Sequence, residues 1–367
     1  MVIKLKKLLI TLAATVHGLL TAGAAQAEQV QVMASGLDHP WSLAFLPAGD
    51  VLVTERAGRL WRLGTGGQKR AIAGVPAVLL ASQGGLFDVV LHPKFADNGL
   101  IYLSYAAGEK GANFTRVTRA RLDGDRLVEA KLIFQVSPAK DTPVHFGGRM
   151  AFLPDGSLVL TTGDGFDYRE QAQRLQSGLG KIMRMADDGR PLAGNPFVGK
   201  AGVQPHIWSY GHRNPQGLAV DAVTGRLWAH EHGPQGGDEL NLIQKGGNYG
   251  WPVATNGLDY SGATISPFKT YPGMIDGRAV WVPSIAPSGL AVYRGALWPA
   301  WAGDLIVGAL VNKEVRRLDV DAAGKVIGQE RIFPSIKARI RDVRVAPDGA
   351  VWLTTDEDAG KVLRVTP

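Results

Sequence analysis

Along most of this chain a short hydrophobic alternation runs into a Pro/Asp-Gly turn and then into a second hydrophobic run. Three copies are clear, at Ser42–Thr54, Arg149–Thr161 and Asp342–Thr354, and degenerate copies occupy Val89–Tyr105, Gly217–Ala229 and Gly289–Leu310. Each copy predicts a strand–turn–strand unit, because period-two apolar runs bounded by Gly, Pro and Asp fit a pleated sheet and not a helix. Six units, each too small to bury its own face, predict an all-β fold, a six-bladed β-propeller in which neighbouring sheets cover one another. A propeller gathers the loops of every blade around one pocket, which is where chemistry is expected. One helical candidate stands out, Tyr168–Met185, starting near Asp167 and weakened by Gly178 and Gly180. Leu192–Gln204 and Asn256–Pro283 mix turn residues with apolar and aromatic ones and are read as ordered loops of a single domain spanning residues 28–367.

Residues 1–27 read as an address label and not as part of the fold. Lys4, Lys6 and Lys7 precede an apolar run through Leu20, and Ala25-Gln26-Ala27 is a small-x-small cleavage site. A membrane anchor is the rival reading, but the run is short of the ~20 apolar residues that a span needs. The expectation is therefore export with cleavage and no stable membrane insertion. The remaining chain of about 340 residues suffices for a large core. Losing the three lysines takes the formal charge from +7 to +4, and no run of like charges follows, so nucleic-acid binding has no support. Cysteine is absent, which excludes disulfides, thiolate chemistry and Cys-ligated metals. An exported protein without cysteine suits a bacterial periplasm.

Candidate chemistry concentrates between Trp208 and Trp251. Arg213 and Asn214 precede Pro215, which restricts the backbone before it, and a guanidinium beside an amide suits a carboxylate. The same pair could equally satisfy loop carbonyls. His230 and His232 alternate on a strand and share a face, and with no third ligand evident they are read as structural in preference to zinc-binding. The Gly233-Pro234 turn with Asp238 and Glu239 offers oxygen donors and no soft ones, a supply suited to calcium, or else forms an acidic surface turn. His145, ahead of Phe146-Gly147-Gly148-Arg149, is placed where a general base would stand, the glycines leaving room for a bulky group against the backbone. Taken alone, it reads more readily as a structural histidine. Arg339 and Arg341 share a face and call for an anion or acids nearby, Asp342 among them, while Gln83 before Gly84-Gly85 is a pocket donor or a turn residue. Most of these residues lie just ahead of the repeat units, so a propeller brings them to one face as a pocket for a polyanionic, metal-chelated ligand.

In this order, His-Phe-Gly-Gly-Arg, Tyr-Gly-His-Arg-Asn-Pro-Gln-Gly, Gly-Pro-Gln-Gly-Gly-Asp-Glu, Gly-Gly-Asn-Tyr-Gly-Trp-Pro and Arg-Ile-Arg-Asp resemble the glucose/sorbosone dehydrogenase family, in particular its aldose sugar dehydrogenase branch. The resemblance covers essentially all of residues 28–367. It implies a six-bladed propeller holding pyrroloquinoline quinone (PQQ) and calcium and oxidising aldose sugars at C1 to lactones, with electrons passed to an external acceptor. By motif, His145 would be the general base. Gln83, Arg213, Asn214, Arg339 and Arg341 would contact the cofactor, with Tyr260 a neighbour. The carbonyls of Gly233 and Pro234 would hold one calcium, and Glu239 with the Tyr249 carbonyl a second. One departure is evident: where the soluble glucose dehydrogenases of the family place a lysine against the quinone, this chain has Val311, so either Lys313 reaches in from a shifted loop or backbone groups replace the lysine. Trp281 and Trp298 could line a sugar platform, although in a chain with nine tryptophans core packing is the simpler role. Two other functions compete: a calcium-dependent sugar lactonase, with channel carboxylates on the metal, and a non-catalytic propeller that binds a protein or glycan.

Overall fold

The structure, a computed structural model, describes residues 28–367; the address label lies outside the described residues. After β1 (Gln29–Leu37), four consecutive strands build each of five sheets, and three strands with β1 build the sixth. The first blade is β2 (Pro40–Phe45), β3 (Val51–Glu55), β4 (Arg59–Leu63) and β5 (Lys69–Ala71). The second is β6 (Leu86–Leu91), β7 (Leu100–Glu109), β8 (Ala112–Asp123) and β9 (Arg126–Gln135). β10 (Met150–Phe152), β11 (Leu158–Thr162), β12 (Lys181–Met185) and β13 (Ile207–Tyr210) form the third. The fourth comprises β14 (Pro215–Val220), β15 (Leu227–Glu231), β16 (Asp238–Ile243) and β17 (Ala279–Trp281). β18 (Pro287–Val292), β19 (Leu305–Ala309), β20 (Glu314–Val320) and β21 (Val326–Ile332) make the fifth. The last is β22 (Ile340–Val345), β23 (Val351–Thr355) and β24 (Gly360–Thr366), completed by β1, so the two ends of the described chain close the ring. Every predicted repeat unit falls on the two innermost strands of a blade.

The second strand of each blade reads as an unbroken apolar run because both of its faces are covered. In β23, Val351 and Leu353 pack toward the fifth blade while Trp352 packs toward the first. In β11, Leu158 and Leu160 face the second blade and Val159 the fourth. Six apolar clusters, one between each pair of neighbouring blades, result from this alternation. Each fully buried Val, Leu or Ile contributes about 1.5–3 kcal/mol, so the ring is held by packing, as a chain without cysteine requires.

The expected helix over Tyr168–Met185 does not form. A short 3-10 turn covers Arg169–Gln173 and the segment then enters β12, so tertiary pairing with β11 overrides the local propensity. Both long loops are ordered, and Asn256–Pro283 supplies walls of the cavities described next. Trp281 is buried in the core between the fourth and fifth blades, and Trp298 stacks on Trp301 at 4.7 Å, so both tryptophans belong to packing. Among the described residues no helix is long and apolar enough to cross a membrane.

Candidate active site

All six innermost strands start at the same face of the ring, and the residues just ahead of them converge there. His145 sits at the entry to β10 with φ of 50°, a left-handed conformation that a non-glycine residue adopts only when its surroundings enforce it. Enforcement comes from both sides. The His145 N–H donates to Gln83 Oε1 at 2.9 Å, and Gly163 passes so close to the His145 carbonyl that a Cβ there would lie 2.1 Å from it. The side chain is nearly closed off, with 6% of its surface open. Its Nδ1 lies 2.7 Å from Asp164 Oδ1; since a carboxylate only accepts, Nδ1 carries the proton and Nε2 holds the free lone pair. Asp164 is itself fixed by the Trp251 indole N–H at 2.7 Å and the Phe166 N–H at 2.8 Å. Burial, aided by the charges of Arg213 and Lys140, lowers the imidazole below the usual histidine value in spite of Asp164. It is therefore neutral at pH 7, the state a base requires.

Gly147 and Gly148 serve a different end from the one expected. A Cβ at Gly147 would meet the Thr161 carbonyl at 2.6 Å and one at Gly148 the Phe87 ring at 2.7 Å, so the glycines admit the protein's own β11 and an aromatic ring.

Phe166 and Trp251 form walls of a cavity of about 220 Å³ that Arg213, Pro234, Asp259 and Tyr260 also line. The His145 ring packs edge-on against Phe166 at 5.2 Å, directly behind that wall. A second, larger cavity of about 670 Å³ shares Pro234 and Tyr260 with the first and is bordered by Gly233, Val282 and Val311. Tyr260 is exposed, stacks on Phe166 at 6.1 Å and lies 5.9 Å from the Arg213 guanidinium.

Arg213 donates from Nη1 to the Gly233 carbonyl at 2.7 Å, and its buried Nε has no partner. Asn214 Oδ1 accepts the Gly147 N–H at 3.1 Å, joining the arginine loop to the His145 loop. Arg339 and Arg341 meet on a carboxylate that sequence reasoning missed, Asp356, at 3.3 and 2.9 Å. Burial alone would raise Asp356, but Arg341 and Arg339 bring it down to about 2. Asp342, the acid expected to pair with one of them, instead faces Arg149 and Arg344 in the channel. Arg341 Nη1 donates to Gln216 at 2.8 Å, and its buried Nε is also without a partner. Lys313 is exposed and lines neither cavity, whereas Val311 borders the larger one.

The other oxygen-rich segment divides in two. Asp238 is taken up by three backbone N–H groups and a hydroxyl: Gly233 N–H on one oxygen, Ser284 Oγ–H, Ile285 N–H and Ala286 N–H on the other. Glu239 lines a cavity of about 110 Å³ with Tyr249, Asp276 and the exposed Lys269. Burial first, then Glu231 and Asp276 nearby, pushes the Glu239 carboxyl up to about 8. His230 and His232 face the Gly289 and Pro287 carbonyls at 3.3 and 2.6 Å, with burial holding them near 3 and 4, in keeping with structural imidazoles.

Asp164 and Asp356, the acids missed from sequence, share a signal that was present. Each follows the second strand of its repeat, after Thr161-Thr162-Gly163 and Thr354-Thr355 respectively.

Relatives place this geometry in a class, the sugar-oxidising oxidoreductases built on a six-bladed ring. More particularly, the chain belongs to the glucose/sorbosone dehydrogenase family, which it matches over residues 37–364. It is 42% identical to aldose sugar dehydrogenase YliI of Escherichia coli K12 over 346 residues, covering 92% of each chain. A crystal structure of glucose dehydrogenase superposes with a TM-score of 0.89 at 43% identity, over 92% of this chain and 99% of the other. The PQQ-bound form of aldose sugar dehydrogenase from Streptomyces coelicolor superposes with a TM-score of 0.75 at 32% identity, over 92% and 98% of the two chains.

Proposed function

We propose that this protein is an exported, periplasmic quinoprotein that oxidises aldose sugars at C1 to lactones, using PQQ and calcium and passing electrons to an external acceptor. The observation that carries the reading is the surplus of guanidinium at one end of the ring. Arg213, Arg339 and Arg341 have a single carboxylate among them, Asp356, and two of them keep a buried Nε unpartnered. A ligand with several carboxylates satisfies that donor set, and Arg213 lines the smaller of the two adjoining cavities. By this reading Gln83, Arg213, Asn214, Arg339, Arg341 and Tyr260 hold the quinone. The Gly233 and Pro234 carbonyls hold its calcium, and Glu239 with the Tyr249 carbonyl holds a second ion in the small acidic cavity. Val311 leaves an apolar wall where the family resemblance implies a lysine, and exposed Lys313 would have to fold inward to replace it.

When bound, the quinone supplies the acceptor for the hydride that leaves C1, with calcium as its Lewis acid. The remaining work falls to side chains of this chain. His145 Nε2 takes the proton of the anomeric hydroxyl, and Asp164 holds the ring in the tautomer that keeps Nε2 free and stabilises the imidazolium formed. Trp251 and the Phe166 N–H fix Asp164 in turn. Phe166 and Tyr260, stacked on each other, line the pocket.

A lactonase would need channel carboxylates free for metal, but Asp88 and Asp342 are engaged by Arg344 and Arg149. The test is reconstitution of purified apoprotein with PQQ and calcium, followed by dye reduction with a panel of aldoses. Activity that requires both additions is expected. Uptake of neither component would overturn the proposal in favour of a lactonase or a binding module.

A further inference from the structure

Arg149 ends the His-Phe-Gly-Gly-Arg motif and has no part in the reaction above, yet it is one of the largest fully buried side chains, 1% exposed. It lies in the central channel, below the site face, with its guanidinium 4.0 Å from the Trp41 ring of the first blade. Its nitrogens reach two other blades. Nε donates to the Gln216 carbonyl of the fourth blade at 2.8 Å, and Nη2 to the Arg341 carbonyl of the sixth at 2.9 Å. Nη1 lies 2.8 Å from Asp342 Oδ1. The two residues whose carbonyls it grips are the two whose side chains join above it, Arg341 Nη1 to Gln216 Oε1 at 2.8 Å. Its own backbone follows the loop that carries His145, only four residues away.

We infer that Arg149 is a positioning residue: it aims the Arg341 guanidinium into the cofactor seat and locks that seat in register with the His145 loop. The inference rests on the proposed role of Arg341 in holding the quinone. The physical argument is one of geometry. A planar guanidinium offers donors in fixed directions, so one group sets the spacing of β10, β14 and β22 at the level of the site. A lysine keeps the charge but cannot hold both carbonyls and Asp342 in the same arrangement.

Arg344 supplies the control. It lies in the same channel, 2.9 Å from both Asp88 and Asp342, but grips no backbone of a site residue. Three variants are therefore compared, Arg149→Lys, Gln216→Ala and Arg344→Gln. For each, thermal unfolding is measured, PQQ is titrated in the presence of calcium, and a crystal structure of the apoprotein is solved. Arg149→Lys and Gln216→Ala should weaken PQQ binding about ten- to a hundredfold, the range found when groups that orient a ligand's contacts are lost. Arg341 should leave Gln216 in the Arg149→Lys crystal. Arg344→Gln should lower the melting temperature while leaving affinity and the Arg341–Gln216 contact intact. If Arg341 stays on Gln216 in Arg149→Lys, or if Arg344→Gln weakens binding as much, Arg149 is only a structural bolt. Failure of the wild-type protein to take up PQQ would remove the cofactor reading itself, and the crystallographic comparison would still decide whether Arg149 aims Arg341. Gln216→Ala leaves every channel charge and the carbonyl that Arg149 grips in place, so it tests whether the Arg341–Gln216 contact sets the affinity should Arg149→Lys not fold.

Discussion

Two clusters of arginine lie on the inner strands and differ in one respect. In the channel, Arg149 and Arg344 face Asp88 and Asp342, two charges against two. At the site face, Arg339 and Arg341 share Asp356, while the Arg213 guanidinium faces the Gly233 carbonyl and, among the described residues, no carboxylate partner. A buried ion pair that balances is a structural device whose desolvation cost consumes much of its attraction. A surplus of the same charge is stable only where water or an anion completes it. By the proposed reading a modest net charge conceals an anion site: the local imbalance carries the information, and the total does not.

The largest effect expected lies beside the surplus cluster. Replacing His145 with Ala should lower kcat by about a thousandfold while PQQ affinity stays near wild type, since removal of a general base costs 10²–10⁴. Loss of affinity together with turnover would place His145 in the cofactor seat instead. Asp164→Asn should reduce kcat by about a hundredfold with a smaller change in KM, because the amide no longer fixes the tautomer. An unchanged kcat would detach Asp164 from the chemistry.

Metal removal sharpens the contrast between acidic and basic regions. Chelation of calcium should lower the melting temperature by about 5 °C, given that a ligand at a hundred times its Kd contributes about 2.7 kcal/mol. Glu239→Gln should abolish part of that dependence. A chelator that leaves the variant and the wild type equally affected would empty the small cavity of its proposed ion.

The smallest effect concerns Asp356. Its folded-state value lies below the unfolded one, so its contribution is present above pH 3.8 and is lost as pH falls toward about 2. The stability difference between wild type and Asp356→Asn should therefore shrink by about 2 kcal/mol across that window in acid titrations followed by denaturant unfolding. A constant difference would mean that the Arg339–Asp356–Arg341 contact contributes nothing in solution.

Much of this was legible in the sequence, and for a local reason. A hairpin records itself within a dozen residues, so all six inner strand pairs were visible. The closure of the ring by β1 was not, because it pairs Gln29 with Thr366 across the whole chain. Tyr168–Met185 misled because Gln, Arg and Leu favour helix locally while Ile182 and Met183 answer to packing on neighbouring blades. His145, Arg213 and Arg341 stand out in the sequence because their motifs are dense and polar. Asp164 and Asp356 were passed over as lone acids in strand-end turns, although they stand at matching places in two repeats. Arg149 was seen only as a motif letter, since its role depends on carbonyls from two other blades.

The most direct test is a single titration of apoprotein with PQQ in excess calcium, followed by tryptophan fluorescence, since Trp251 lies in the cavity wall. The account predicts a one-site saturable isotherm that weakens sharply when Arg213 and Arg341 are both replaced by Gln. An isotherm that does not saturate, or one that the double replacement leaves unchanged, would contradict the claim that the unbalanced arginines form the cofactor seat.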